Sequence, residues 1–176
     1  MFRLLEAHRS PLGLRNLALV SVLLDGGLRA SEACSLTLDS LRDGGLLVGP
    51  GKSGRMRMVP LGQRAQRAVG RYLAGGRPRL RPRGESLLLN QDGLPLTRNA
   101  VRQALCRLSE RVGFPVSAHR FRHSFATMLL RRGCDLETLR RLGGWADYSM
   151  LRTYVHLADA DLRLAQQRFS PLDGIN

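Results

Sequence analysis

Residues 119–154 read HRFRHSFATMLLRRGCDLETLRRLGGWADYSMLRTY, and their pattern decides how the chain folds. If the first part of this stretch is a helix, apolar and cationic side chains fall on opposite faces. The apolar face would carry Phe121, Phe125 and Met128, and the cationic face His119, Arg122 and His123. An imidazole and a guanidinium three residues apart can point at one anionic atom. We therefore predict a helix that packs against a core and offers donors to an anion.

Two aromatic side chains near the end of this stretch can add chemistry to anion binding. Trp145 can donate through its indole N–H, and the hydroxyl of Tyr154 can act as a nucleophile. Gly143 and Gly144 form a turn that frees the backbone at Trp145 to approach a ligand closely. A phosphate bound here would meet donors and a nucleophile together. The alternative is a helix that contacts phosphate without chemistry.

The composition narrows the partners of the chain. Its 176 residues suit a single domain, and 43% of them are hydrophobic, which is enough for an ordinary core. A net charge of +14 predicts a polyanionic partner, either nucleic acid or an anionic membrane surface. No apolar run approaches the roughly 20 residues that span a bilayer, and the N-terminus lacks a signal-peptide core. These observations favour nucleic acid over a membrane as the partner, and a location in the cytosol or nucleoid.

Neither a metal nor a cofactor is expected. Cys34, Cys106 and Cys134 are odd in number and scattered, without a CxxC pair, so neither a disulfide framework nor a zinc site is indicated. Metal-dependent phosphoryl chemistry needs converging carboxylates, whereas the chain has 14 acidic residues and no HExxH pattern. Any phosphate chemistry is therefore expected to proceed without metal.

Short runs broken by glycine, at residues 36–61, predict a small three-stranded antiparallel sheet with turns at 43–45 and 49–54. Lys52 would lie at the tip of the second hairpin. It is the single lysine among 28 cationic residues, and lysine can release a proton where arginine cannot. Lys52 is therefore either a solvated turn residue or a mobile acid that reaches into a groove. Arg55 and Arg57 beside it fit contacts to the DNA backbone.

Helices are predicted on both sides of this sheet. Residues 12–24 are apolar almost throughout, and residues 63–73 and 98–112 are amphipathic. Arg98 and Arg102 belong to a cationic helix face that suits the major groove of DNA. Residues 75–84, GGRPRLRPRG, predict a basic, non-helical connector that is either solvated or directed at DNA.

Arg29 and Glu32 stand three residues apart in the short helical stretch GLRASEACSL. A carboxylate at that spacing can hold a guanidinium in one orientation through charge-assisted hydrogen bonds. The alternative is a surface ion pair, which would be worth about 0 to 1 kcal/mol.

Four motifs occur in order along the chain, GLRASE, GKSGRMRMVPL, HRFRHSFATMLL and GGW, and the tyrosine of YVH stands nine residues after the last of them. In these motifs the chain resembles the catalytic domain of the tyrosine recombinase (phage integrase) family. The resemblance runs from about Pro11 to the C-terminus. It implies an α+β, mostly α-helical fold, in which a small three-stranded antiparallel sheet packs with a helical catalytic core.

The resemblance also implies roles for the matching residues. Arg29 and Arg122 would clamp the scissile phosphate, with Glu32 supporting Arg29. Lys52 would be the acid for the leaving 5′ oxygen. His119 stands at the H/K position of the HxxR motif, Trp145 at the variable His/Trp position, and Tyr154 at the nucleophile. The expected DNA contacts are Arg55, Arg57, Arg98, Arg102, Arg120 and His123.

The expected activity is the cutting and rejoining of DNA through a 3′-phosphotyrosyl intermediate in site-specific recombination, without metal or nucleotide. Its rivals are a type IB topoisomerase and a DNA-binding protein without catalysis. Residues 1–176 are expected to form a catalytic domain without the N-terminal core-binding domain that most members carry. Residues 157–176 are expected to form a tail helix able to dock on a neighbouring protomer, in a dimer or tetramer on DNA.

Overall fold

The computed structural model describes residues 1–49 and 56–154, together with residues 166, 170 and 172. The α-helices of this part are α1 (Phe2–Ala7), α2 (Pro11–Asp25), α3 (Ala30–Ser35), α4 (Gln63–Arg71), α5 (Arg98–Val112), α6 (Ala118–Arg131) and α7 (Leu136–Gly143). The strands are β1 (Leu41–Arg42), β2 (Gly45–Val48) and β3 (Arg57–Pro60). Short 3₁₀ turns lie at Leu38–Ser40, Pro78–Leu80 and Tyr148–Leu151, and a π-helical turn, Tyr72–Gly76, follows α4. The predicted fold class, mostly α-helical with a small three-stranded antiparallel sheet, is confirmed.

Helix α2 runs through the middle of the larger core. Every residue from 13 to 23 except Asn16 is buried, and α2 packs against α1, α3, α4 and α6. Pro11 occupies its first turn, and the hydroxyl of Ser10 accepts a hydrogen bond from the N–H of Gly13 at 3.1 Å. A helix that is apolar on nearly all sides gains its stability from burial. Helix α2 is therefore the element on which α1, α3, α4 and α6 pack.

The sheet has the order β1-β2-β3, and both pairings are antiparallel. Asp43 and Gly44 connect β1 to β2, and their φ angles are 47° and 74°. Positive φ at both central residues is what a two-residue type I′ hairpin requires. The sequence had placed Gly45 in this turn as well, but Gly45 is the first residue of β2 and pairs with Arg42 and Pro60.

The second predicted hairpin joins β2 to β3, and its register pairs Val48 with Arg57. Residues 50–55 of this hairpin lie outside the described residues, and with them Lys52 and Arg55. Strand β3 also contacts α7, so this edge of the sheet lies next to α7.

The basic connector is not the non-helical arm that its prolines predicted. Pro78–Leu80 forms a 3₁₀ turn, because proline at a first helical position gives up no hydrogen bond that the turn needs. The side chain of Arg77 is buried, and its guanidinium donates to the carbonyls of Gly84 at 2.7 Å and Ser86 at 3.0 and 3.1 Å. For Arg77 the prediction of a solvated or DNA-facing residue is therefore wrong.

A second, smaller core holds α6, α7 and the turn after them together. Its buried members are Phe125, Ala126, Leu130, Leu139, Trp145, Leu151 and Tyr154. Two candidate chemical residues, Trp145 and Tyr154, are thus packed into a core. Met128, predicted on the same apolar face as Phe125, is 45% exposed, and it lines an open groove together with Phe125 and Phe2.

Candidate active site

The N-terminus of α3 brings Arg29 and Glu32 into contact. Arg29 is the N-cap and Glu32 the third helical residue, so the carboxylate folds back over the start of the helix. Glu32 Oε2 accepts from the backbone N–H of Arg29 at 2.8 Å, and Oε1 accepts from Arg29 Nη1 at 2.9 Å. The side chain of Glu32 is 6% exposed and that of Arg29 36%. This is not a surface ion pair, because a buried carboxylate orients a guanidinium that still reaches the surface.

A second arginine, Arg57 at the start of β3, binds the same carboxylate. Its Nη1 and Nη2 donate to Oε1 and Oε2 of Glu32, both at 3.0 Å, and its Nε donates to the carbonyl of Leu142 at 3.2 Å. Only 13% of the Arg57 side chain is exposed. The sequence predicted a contact with the DNA backbone, whereas the structure turns Arg57 into the site. The alternation along β3 could have indicated this, because Arg57 shares a strand face with the buried Val59.

The electrostatics of Glu32 lead to a pH prediction. Burial alone would raise the pKa of its carboxyl, but hydrogen bonds from Arg57 and from the backbone of Arg29, together with both guanidinium charges, lower that pKa below its ordinary value. A carboxyl whose pKa is depressed in the folded chain stabilises the fold above the unfolded pKa of about 4.3. This contribution is lost as the pH falls through the folded value.

We therefore expect Glu32→Gln to lower the free energy of unfolding at pH 7 and to lower it less at about pH 3.5. Urea denaturation of both proteins at the two pH values measures the difference. A loss of stability that is equal at both pH values would contradict the proposed ionised state of Glu32.

Arg122 lies on the inner face of α6 and is held by two backbone carbonyls. Its Nη1 donates to Gly27 at 2.6 Å and its Nη2 to Gly143 at 2.7 Å, which ties α6 to the loop before α3 and to the end of α7. Burial, followed by the charge of Arg29, lowers the pKa of Arg122 to about 10, so the group is charged at neutral pH. These bonds engage two of the five N–H groups of the guanidinium. The others can face a bound anion.

The ring of Trp145 packs against the guanidinium of Arg122, and the ring of Tyr154 packs against that of Trp145. The guanidinium carbon of Arg122 lies 4.1 Å from the centre of the Trp145 ring, as in a cation–π stack. The Trp145 and Tyr154 rings meet edge to face with centres 6.3 Å apart, and the ring centre of His123 lies 5.0 Å from that of Tyr154. Burial raises the pKa of the Tyr154 phenol, an effect that the charge of Arg122 opposes. The sequence predicted Trp145 as a donor, and the structure adds a stacking role between Arg122 and Tyr154.

The environments of the three tyrosines differ. Tyr72 is fully buried, and its hydroxyl accepts a hydrogen bond from the N–H of Leu89 at 3.2 Å. Tyr148 is 53% exposed, and its hydroxyl donates to Glu137 at 2.8 Å. Tyr154 alone of the three packs against Trp145 and is influenced by the charge of Arg122. Its role as the nucleophile stays a prediction.

Glycines allow the close packing around the two arginines. Gly27 has φ +59°, and a Cβ there would lie 2.4 Å from the ring of Phe125. A Cβ at Gly143 would lie 1.8 Å from the ring of Trp145. Because these two residues supply the carbonyls that hold Arg122, their lack of a side chain lets the backbone approach the guanidinium while the aromatic rings stay packed.

We expect Gly143→Ala to displace Trp145 and to cost about 1–3 kcal/mol of stability, since the added methyl group overfills a packed site. Trp145 is the only tryptophan, so its fluorescence reports the displacement directly. The matched control is Gly70→Ala in α4, where an added Cβ has no atom within 4 Å. That change should leave Trp145 emission unaltered and stabilise the fold by roughly 0.5–1 kcal/mol. Unchanged emission in Gly143→Ala would contradict the packing described.

The other predicted site residues lie on the surface or outside the described part. The exposed ones are Arg98 and Arg102 on α5, and His119, Arg120 and His123 on α6. His119 precedes Arg122 by about one helical turn. Contact of these residues with DNA stays a prediction. The predicted tail helix, residues 157–176, falls outside the described residues except at 166, 170 and 172.

Metal-binding clusters, membrane-spanning helices and paired cysteines are all absent among the described residues. Among them, histidine, cysteine and acidic side chains form no group of three or more that could hold a metal ion. Within the same ranges, no helix combines the length and the apolar character needed to cross a membrane. Cys34, Cys106 and Cys134 are free thiols, and Cys106 is exposed.

Comparison with known proteins identifies the family to which the chain belongs. The chain matches the phage integrase family over residues 1–161, and it belongs to that family. Among curated relatives, tyrosine recombinase XerD of Listeria monocytogenes serotype 4b (strain F2365) is 36% identical over 168 residues, a match that covers 92% of this chain and 57% of the relative. The chain therefore spans little more than half the length of that relative.

Solved structures agree with this placement. XerA recombinase superposes with a TM-score of 0.76 at 27% identity, covering 90% of this chain and 59% of that chain. XerH site-specific recombinase, solved bound to its palindromic difH substrate as a post-cleavage complex, gives a TM-score of 0.72 at 25% identity and covers 93% of this chain and 47% of that one.

Proposed function

We propose that this chain is the catalytic domain of a site-specific DNA recombinase that cuts and rejoins DNA strands through a 3′-phosphotyrosyl intermediate. The observation that carries the proposal is one continuous series of contacts. It runs from Arg29 through Glu32 and Arg57 to the end of α7, and from there through Arg122 and Trp145 to Tyr154. The series joins residues more than a hundred positions apart, and it unites cations with a hydroxyl.

The proposed first step is attack by the hydroxyl oxygen of Tyr154 on a backbone phosphorus. The new bond joins this oxygen to phosphorus, and the bond from phosphorus to the 5′ oxygen breaks. Burial raises the pKa of Tyr154 and keeps the phenol protonated beforehand, so its proton passes to solvent water during attack. Lys52 would supply a proton to the 5′ oxygen, a role that the family resemblance gives it. Return attack by the 5′ hydroxyl restores the strand, so the phosphotyrosine conserves the bond energy and no nucleotide is consumed.

The cations stabilise the charge that this attack creates. A pentacoordinate phosphorus carries additional negative charge on its non-bridging oxygens, and fixed donors are effective because they need no reorganisation. Arg29 and Arg122 are fixed by Glu32 and by two backbone carbonyls, respectively. His119 and Trp145 are the further donors in this proposal. The step requires neither a metal nor a cofactor.

Double-stranded DNA is the proposed partner. The net charge of +14 and the exposed cationic side chains on α5 and α6 suit a polyanion, and XerH was solved bound to its difH substrate. We also propose self-association on DNA, as a dimer or tetramer, with the tail at residues 157–176 contacting a neighbour. A cytoplasmic, nucleoid-associated location follows from this partner. A type IB topoisomerase is not favoured, because the curated relative is named a tyrosine recombinase and the similar XerH structure a site-specific recombinase.

The experiment that tests the proposal identifies the nucleophile chemically. The chain is incubated with nicked duplexes that carry a randomised central segment, so that the short strand released by cleavage diffuses away and rejoining is prevented. Denaturation and trypsin digestion then yield any peptide that carries nucleotide. Tyr148 and Tyr154 fall on different tryptic peptides, LGGWADYSMLR and TYVHLADADLR. We expect the nucleotide on the second peptide, whereas an adduct on the first, or no adduct with any duplex, refutes the proposal.

A further inference from the structure

We infer that Arg57 is a positioning residue, which fixes Arg29 through Glu32 and at the same time holds the end of α7. This inference rests on the proposed function, because it assigns a role in the same site. It also replaces the direct contact with DNA that the sequence predicted for Arg57.

The contacts of Arg57 occupy every nitrogen of its guanidinium. Nη1 and Nη2 form parallel bonds of 3.0 Å to the two oxygens of Glu32, and Nε donates to the carbonyl of Leu142 at 3.2 Å. Paired hydrogen bonds between a guanidinium and a carboxylate fix the relative orientation of both planes. Glu32 is only 6% exposed, so its carboxylate depends on these protein donors rather than on water.

The surroundings of Arg57 keep it away from a DNA backbone. Its side chain is 13% exposed, against 36% for Arg29. Gly144 has φ +63°, and a Cβ there would lie 2.7 Å from the guanidinium carbon of Arg57. The backbone of the turn after α7 therefore covers the guanidinium closely. Arg29 is the outer cation on Glu32, and Arg57 is the inner one.

Arg57 connects the supports of both proposed phosphate-binding arginines. On one side, Glu32 Oε1 accepts from Arg57 Nη1 at 3.0 Å and from Arg29 Nη1 at 2.9 Å. On the other side, the carbonyl of Leu142 precedes that of Gly143, which accepts from Arg122 at 2.7 Å. These carbonyls lie at the C-terminal end of α7, where the helix dipole favours cations. Removing Arg57 would free the carboxylate to rotate and would loosen the end of α7.

A positioning residue and a phosphate contact give different results. If Arg57 acts by positioning Arg29 and the end of α7, its loss slows cleavage without weakening DNA binding, and most of its effect disappears once Arg29 is gone. If Arg57 instead contacts a phosphate, its loss weakens binding, lowers the salt slope by about one, and adds to the loss of Arg29.

The test uses the 176-residue chain and a nicked duplex selected from the randomised pool described above. Single-turnover adduct formation and the dissociation constant at several salt concentrations are measured for Arg57→Gln, Arg29→Gln and the double variant. We expect Arg57→Gln to slow adduct formation by about 10- to 100-fold, as for loss of one stabilising contact, with affinity within about twofold. The double variant should be slower than Arg29→Gln by clearly less than the factor that Arg57→Gln produces alone, and what remains reflects the support of Arg122 through the end of α7. Additive losses, or a weaker affinity with a reduced salt slope, overturn the inference.

Two controls keep the result interpretable. Arg64→Gln removes another arginine that binds a glutamate, Glu6, through Nε and Nη2 at 3.2 and 2.9 Å, and it should cleave like the parent. Arg57→Lys keeps the charge but cannot bridge both carboxylate oxygens and the Leu142 carbonyl. It should restore part of the rate lost in Arg57→Gln, and it provides the measurement if the glutamine variant fails to fold.

The outcomes also separate this inference from the proposed function. A parent that forms adducts beside an Arg57→Gln variant of equal rate refutes the inference and leaves the function standing. A parent that forms no adduct refutes the function and the role of Arg57 within it.

Discussion

Tyr154→Phe is expected to abolish covalent attachment to DNA and to lower strand cleavage by at least about 10³-fold, because removing a nucleophile removes the reaction route itself. The phenylalanine ring can keep the contacts with Trp145 and His123, since these involve ring edges and faces rather than the hydroxyl. Stability and DNA affinity should therefore change little. The expected result is a chain that still folds and binds but no longer cuts.

Adduct formation on the nicked duplex, followed by denaturing electrophoresis, measures this effect. Tyr148→Phe is the matched control, since it removes a hydroxyl only six residues away that donates to Glu137 on the surface. That variant should form adducts at the parental rate. Adducts with Tyr154→Phe, or their loss only with Tyr148→Phe, would assign the chemistry to another residue.

Arg122→Gln is expected to lower cleavage by about 10²- to 10³-fold, as for the loss of one preorganised donor to a developing charge. The change also leaves the carbonyls of Gly27 and Gly143 without their charged donor, which should cost about 1–3 kcal/mol of stability. Trp145 loses the cation that it stacks on. Both the chemistry and the packing of the smaller core therefore depend on this one side chain.

Cleavage rate, thermal unfolding and tryptophan fluorescence together test this expectation. Arg131→Gln, an exposed position at the end of the same helix, is the control and should change none of the three. Arg122→Lys should remain slow although the charge is kept, because one ammonium cannot reach both carbonyls and an anion with the same geometry. Parental cleavage by Arg122→Gln would remove Arg122 from the proposed mechanism.

Local signals in the sequence located several elements correctly. Helix α5 has the predicted bounds, Arg98–Val112, because Thr97 caps it and Gly113 adopts the left-handed conformation that ends it. In the structure Asp135 caps α7 in the same way as Thr97 caps α5, accepting from the N–H of Thr138 at 2.8 Å. Caps and turns involve neighbours in the chain, so a single sequence contains the information needed to predict them.

The sequence predicted the residue types of the site but not the contacts that support them. The structure brings Arg29, Glu32, Arg122, Trp145 and Tyr154 into one series of contacts, and their roles in catalysis stay predictions. The direction of Arg57 was not foreseen, because its partner Glu32 lies 25 residues away and its other partner, Leu142, lies 85 away. Arg77 differs from its prediction for the same reason: the composition of its segment predicts exposure, whereas the carbonyls of Gly84 and Ser86 hold its guanidinium inside the fold.

By itself, the sequence determined the elements, their order and the residue types available for phosphate chemistry, because periodicity, caps and turn residues act over a few positions. Only the tertiary structure decided which cations face outward and which support them. Arg29 and Arg57 carry the same charge, yet one caps a helix at the surface and the other lies beneath the turn after α7. That difference arises from packing between distant segments, where a buried carboxylate requires donors and the fold determines which arginines can reach it.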